Sequence, residues 1–114
     1  MQVINKRNQK VIATNCDIAD TPWKRTVGLI GRVEFDLGDA LYITKCNSIH
    51  MFFMKRSIDV VFLDKDKKVV YSIRGIRPWR VSRIVSDAED VLELPQGVIV
   101  RNFITIGDTL EFTD

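Results

Sequence analysis

Four stretches of this chain, ALYITKC at 40–46, IDVVFLD at 58–64, KVVYSI at 68–73 and VLELP at 91–95, are rich in β-branched and aromatic residues. Each is too short for a stable helix and is bounded by turn-forming residues, so each is expected to be a strand. HMFFM at 50–54 has the same character and is expected to be another strand. The DKDKK run at 64–68 supplies a hairpin turn, and Gly75 and Pro78 interrupt the chain again in RGIRPW. Many short strands at close intervals, with no alternation of strand and long helix, predict a mainly β fold: a small sandwich or barrel with one or two short helices.

The remaining segments fit that frame. VINKRNQKVIATNCDIAD at 3–20 predicts a hairpin, with Val3 and Ile4 on one strand, a polar turn around residues 5–9, and Val11 and Ile12 on a second strand continuing toward Ile18. A short helix is expected to begin after Asp20 or Thr21, either of which can accept a bond from a free helix N–H. Pro22 sits where its missing N–H costs nothing, and Gly28 and Gly31 limit the helix to two or three turns. Trp23 and Val27, four apart, are expected to anchor this helix to the core. VEFDLGD at 33–39 suggests a turn, GVIVRNFI at 97–104 a short helix, and GDTLEFT at 107–113 a closing strand.

At 114 residues, one domain spanning 1–114 is expected, with enough buried surface to hold itself without disulfide or metal staples. The longest uncharged stretch, Cys46 to Met54, is about half of what a bilayer crossing needs, so no membrane association is expected. No secretory signal is apparent at the N-terminus. Cys16 and Cys46 are therefore expected to be reduced thiols of a cytoplasmic protein. No metal site is expected, because Cys46 and His50 lack a chelating spacing on strands, and no cofactor is indicated. The net charge of +2 is too small to recruit nucleic acid by itself.

The candidate site residues are polar groups in otherwise apolar strands. Asp59 is one: Ile58, Val60 and Phe62 share one face and Val61 and Leu63 the other, leaving Asp59 the sole polar group. A charge so placed needs a partner, and Arg25, Arg56 and Arg80 are the candidates. Its structural role would be a buried ion pair, its functional role a ligand contact. Alternation sets Glu93 beside Val91 and away from Leu92 and Leu94, and composition alone favours a solvent-facing position for it. If Asp59 and Glu93 met, one carboxyl would be raised and able to act as a general acid. His50, the only histidine, alternates with Ser48 and Phe52 and can act as acid, base or ligand, although a single histidine among apolar residues is more often packed than catalytic. Between Lys67 and Ser86 lie six basic residues and no acidic one. The stripe Arg74, Arg77, Arg80, Arg83, with Trp79 inside it, suggests either an anion or nucleic-acid site or arginines paired with Asp59, Glu93 and the acidic run after Ser86.

Taken in order, the motifs Trp23-x-Arg25 before Gly28-Leu29, Ser48-Ile49-His50 with Met51 and Met54, Ile58-Asp59-Val60-Val61-Phe62, Leu92-Glu93-Leu94, Gly97 and Gly107-Asp108 span nearly the whole chain. By them the sequence resembles a prokaryotic family of unassigned role, domain of unknown function number 192. Ile30 and Gly31 depart from it, since similar sequences usually carry a methionine and an aromatic or polar residue there. The resemblance implies a double-sheet, jelly-roll-like β domain, gives Glu93 weight as part of a shared motif, and supplies no catalytic residue, substrate or cofactor.

The expected object is thus a binding module for a small polar or anionic ligand or a protein segment. Its site is formed by Ser48, His50, Asp59, Arg80 and Glu93 and bordered by Trp23 and Trp79. The alternatives are an acid/base hydrolase using His50 with Asp59 or Glu93, and nucleic-acid binding through the arginine stripe. Oligomeric state is not legible in the sequence.

Overall fold

The computed structural model describes residues 1–32 and 34–114. Its strands are β1 (Gln2–Asn5), β2 (Val11–Ala13), β3 (Asn15–Ala19), β4 (Asp39–Ile43), β5 (Ile58–Leu63), β6 (Val69–Ile76), β7 (Asp90–Pro95) and β8 (Leu110–Thr113), with two short helices, α1 (Pro22–Val27) and α2 (Val98–Arg101). They form a three-stranded sheet, β2-β1-β8, and a five-stranded sheet, β3-β4-β7-β5-β6. The mainly β expectation holds, as do both helices. The turn expected over 33–39 includes Val33, which lies outside the described residues.

Every residue of β5 and β7 is buried, which requires cover on both faces of the larger sheet. On one face Val61, Leu63, Leu92 and Leu94 pack with Val3, Ile12 and Leu110 of the smaller sheet and with Val98 and Ile99 of α2. On the other, Val60, Phe62, Val91, Leu41 and Ile43 are roofed by Leu29, Ile49, Met51, Met54 and Val85, which come from connecting segments. The domain therefore has sheet against sheet on one side and sheet against loops on the other. The loop-covered side is where a cavity can form, because connecting segments fill space less regularly than a second sheet.

Several local expectations are corrected. The second hairpin strand does not run on to Ile18: the chain leaves the smaller sheet at Thr14, and β3 pairs in parallel with β4 of the larger one. HMFFM is not a strand. Only His50 makes a bridge, to Val81, and residues 52–53 turn, with Phe53 in a left-handed conformation. The sequence places the α1 cap well: Thr21 Oγ1 accepts from Lys24 N at 3.2 Å, and Gly28 terminates the helix. Trp23, however, is 75% exposed and anchors nothing. Among the described residues no helix is long and apolar enough to cross a membrane.

Candidate functional site

Asp59 and Glu93 do not meet. In the β5–β7 register Asp59 lies opposite Leu94, and Glu93 lies opposite Val60. Since successive side chains alternate, the two carboxyls project from opposite faces of one sheet.

Asp59 faces the smaller sheet and α2, and its partners are backbone groups rather than an arginine. Its Oδ1 accepts from Gly75 N at 2.8 Å, and its Oδ2 accepts from Gly97 N and Ile99 N, both at 3.0 Å. The expected ion pair with Arg25, Arg56 or Arg80 is replaced by this three-way acceptor, which ties the bend in β6 and the start of α2 to β5. Three N–H groups satisfy a buried carboxylate without a second charge.

Glu93 sits on β7, the middle strand of the larger sheet, flanked by Leu41 and Val60. It is buried rather than solvent-facing, because the loop layer covers its face. No described residue hydrogen-bonds or ion-pairs with its carboxyl. Desolvation pushes it up from the ordinary 4.5 to about 7. It lines a pit of about 60 Å³ together with Arg25, Gly28, Cys46, Ser48 and His50, and the apolar walls include Ile43, Met51 and Met54. That volume admits a few waters or one small polar head group.

The other groups of the pit are held by the chain around it. Arg25 Nε donates to Thr44 O at 2.7 Å, and its Nη2 donates to Asp20 O at 2.9 Å, so two of the three guanidinium nitrogens are engaged by backbone carbonyls. A Cβ built on Gly28 would come 3.9 Å from Glu93 Oε1, and the residue's φ of +51° is one that glycine adopts freely. Cys46 Sγ donates to Ser48 O at 3.0 Å, and burial pushes its thiol up from the ordinary range. The segment 47–51 pairs with 79–85 through Met51 N to Arg80 O and Ser82 N to Ile49 O, at 2.7 and 2.9 Å. This ribbon buries Ile49, Met51 and Val85 in the core and brings Ser48 and His50 to the pit. His50 is exposed, accepts from Phe52 N at Nδ1 (3.3 Å), and stacks on Phe52 at 4.9 Å.

Of the expected site residues, Ser48, His50 and Glu93 come together. Asp59 is on the far face. Arg80 and Trp23 are exposed and do not line the pit. Trp79 lines an adjoining groove of about 660 Å³ that shares Leu29, Ile30 and Met54 with the pit. Cys46 and Arg25 were weighed in the sequence for other roles, as thiol and as partner of Asp59. Nothing in their spacing shows that a parallel β3–β4 pair and a helix roof bring them to Glu93.

The arginine stripe does not pair with the acidic run. Among the described residues, Arg74, Arg77, Arg80 and Arg83 make no ion pair, and Arg83 lies over the Tyr71 ring. Asp90 is taken instead by Lys67 at 3.0 Å, the Tyr42 hydroxyl and Lys45 N, so one acid of that run is already satisfied.

Comparison with known proteins agrees with this fold. Residues 3–112 match the family DUF192, described as Uncharacterized ACR, COG1430. A UPF0127 protein of Thermococcus sibiricus is 39% identical over 114 residues, covering 96% of this chain and 73% of the relative. A UPF0127 protein of Pyrococcus abyssi is 35% identical over 116 residues and covers 96% of each. The crystal structure of a protein of unknown function from Novosphingobium aromaticivorans superposes with a TM-score of 0.84 at 20% identity, over 97% of this chain and 82% of that one. These similarities carry the fold and no activity.

Proposed function

Because the chain belongs to the DUF192 family of uncharacterised proteins, whose membership assigns no activity, we propose a function from the site alone: binding of a small polar ligand whose hydrogen-bond-donating head enters the pit and meets Glu93. The observation that carries this reading is a carboxyl buried to 95%, without a partner among the described residues, lining a cavity. No fully buried side-chain oxygen lacks a partner among the described residues, so the Glu93 oxygens are reached from the pit, and a ligand entering there can supply the hydrogen bond that protein groups do not. The head is an ammonium, amide or hydroxyl, since an anion would meet Glu93 unfavourably once it ionises. Of the polar or anionic ligands expected from the sequence, the pit favours a polar, hydrogen-bond-donating one at its buried end. The thiols Cys16 and Cys46, both free, support a reducing, cytoplasmic setting.

The test is a titration with methylammonium, acetamide and acetate, followed by amide shifts at Gly28, Cys46 and Ser48. Methylammonium or acetamide is expected to shift these signals saturably, and Glu93→Gln to weaken methylammonium about tenfold, the value of a charge-assisted hydrogen bond. Acetate binding as tightly as methylammonium, or no saturable shift with any of the three, would remove the reading.

A second reading, acid/base chemistry, is favoured by one specific observation: His50 and Glu93 line the same pit, and Glu93 titrates near neutrality. It requires a turnover that His50→Ala abolishes, whereas binding alone survives that change.

A further inference from the structure

The groove beside the pit carries two features that the packing of the core does not explain. Phe53 and Trp79 both hold a positive φ, +64° and +68°, in a region that bulky side chains rarely adopt. Neither is repaid by burial, for they are 66% and 59% exposed and pack chiefly on one another, with ring centroids 5.0 Å apart. Residues held in such conformations cluster at ligand clamps among other sites, and here the rings they leave in solvent line the groove. Phe52 continues the array, 6.0 Å from Trp79 and 4.9 Å from His50, so the rings run from the pit to the groove.

The second feature is charge. Every charged residue lining the groove is a cation: Arg32, Lys55 and Arg56. Arg32 is held by Asp17 at 3.3 Å and Arg56 donates to Phe35 O at 3.2 Å, so both are fixed in position, while Lys55 stands exposed. The loop that delivers Trp79 also carries Arg77 and Arg80, exposed and without an ion pair among the described residues. Asp17 offsets Arg32, which leaves Lys55 and Arg56 as the cations beside the aromatic pair, and aromatic faces rimmed by cations complement a flat ring bearing negative charge.

We propose that this groove is a subsite for a small planar anion, which lays its ring on Trp79 and Phe53 and turns its carboxylate or phosphate toward Lys55 and Arg56. The inference extends the pit reading to a ligand with two ends, a donor for Glu93 and an anionic ring for the groove, and it stands on residues the pit does not use.

The experiment uses Trp23→Phe protein, in which Trp79 is the only tryptophan, titrated with benzoate, with phenyl phosphate and with uncharged benzyl alcohol. The expected result is a saturable change in Trp79 emission, with benzoate or phenyl phosphate bound at least about tenfold more tightly than benzyl alcohol; the stronger of the two identifies the anionic group. Lys55→Glu is expected to weaken the anion several-fold without altering the thermal midpoint. Glu93→Gln is expected to leave anion binding in place while it weakens methylammonium, so that failure of the groove and failure of the pit are read separately. Equal affinity for charged and uncharged probes, or no saturable change, would overturn the proposal. So would Trp79 emission that shifts with protein concentration alone, because a second copy would then occupy the groove.

Discussion

Asp59 and Glu93 stand one residue out of register on neighbouring strands, Asp59 beside Leu94 and Glu93 beside Val60, and so point to opposite sides of one sheet. That offset gives two buried carboxyls different work. One is saturated by backbone N–H groups and holds the fold, and the other lacks a partner among the described residues and lines a cavity.

Asp59→Asn is expected to destabilise the domain by about 3 kcal/mol, because the amide presents N–H groups where Gly75, Gly97 and Ile99 already donate, and loses charge-assisted bonds. Urea denaturation measures this directly. Folded Asp59→Asn protein should retain methylammonium binding, since the pit lies across the sheet; loss of binding in a folded variant would mean that the two sides are coupled.

For Glu93 the sign of the pH dependence follows from a folded-state value near 7 against an ordinary 4.5. The folded protein holds the proton more tightly than the unfolded chain does. This contribution is fully present below pH 4.5 and is lost as the pH rises through 7, amounting to roughly 3 kcal/mol. Glu93→Gln lacks the titration, so it should be more stable than the parent at pH 8 and nearly equal to it at pH 4.5. Thermal midpoints of both proteins across that interval check the difference.

Asp108 behaves in the opposite sense. Burial pushes its carboxyl up, but bonds from Arg7 at 2.6 Å, Thr105 N at 2.8 Å and Asn5 at 2.8 Å outweigh that and hold it well below the usual carboxylate range. Its stabilising contribution is present above the unfolded-state value and is lost as the pH falls below about 4. Asp108→Ala should therefore cost about 2–4 kcal/mol at pH 7, with the gap to the parent narrowing in acid. A gap that stays constant down to pH 2 would show that the carboxylate charge is not what ties β1 to the 105–108 turn.

Strand composition located β4, β5, β6, β7 and β8, and period-two alternation set Glu93 beside Val91 and Asp59 beside Val61; of the cap residues the sequence offered, Asp20 or Thr21 at the start and Gly28 and Gly31 at the end, Thr21 and Gly28 bound α1. Burial of Glu93 was not legible, because alternation tells which face a residue occupies and not whether loops roof that face. The same gap accounts for the misplaced arginine partners. Asp59 is satisfied by N–H groups of Gly75, Gly97 and Ile99, and backbone donors carry no side-chain signature in a sequence. HMFFM has strand composition, yet its Met51 and Met54 serve as roof over the sheet while Phe53 turns outward. Trp23 was misjudged for a related reason: a helix of six residues has too little surface to bury every large side chain it carries.

The central claim is that Glu93 is a buried carboxyl, without a partner among the described residues, able to take up a proton near neutrality. The most direct measurement is a carboxyl carbon NMR titration of the ligand-free protein, with the Glu93 signal assigned by its absence in Glu93→Gln. A midpoint about 7 is the predicted result, moving downward when methylammonium is added because a cation favours the ionised form. A midpoint near the ordinary 4.5, unmoved by methylammonium, would contradict the account and make the pit a solvated crevice.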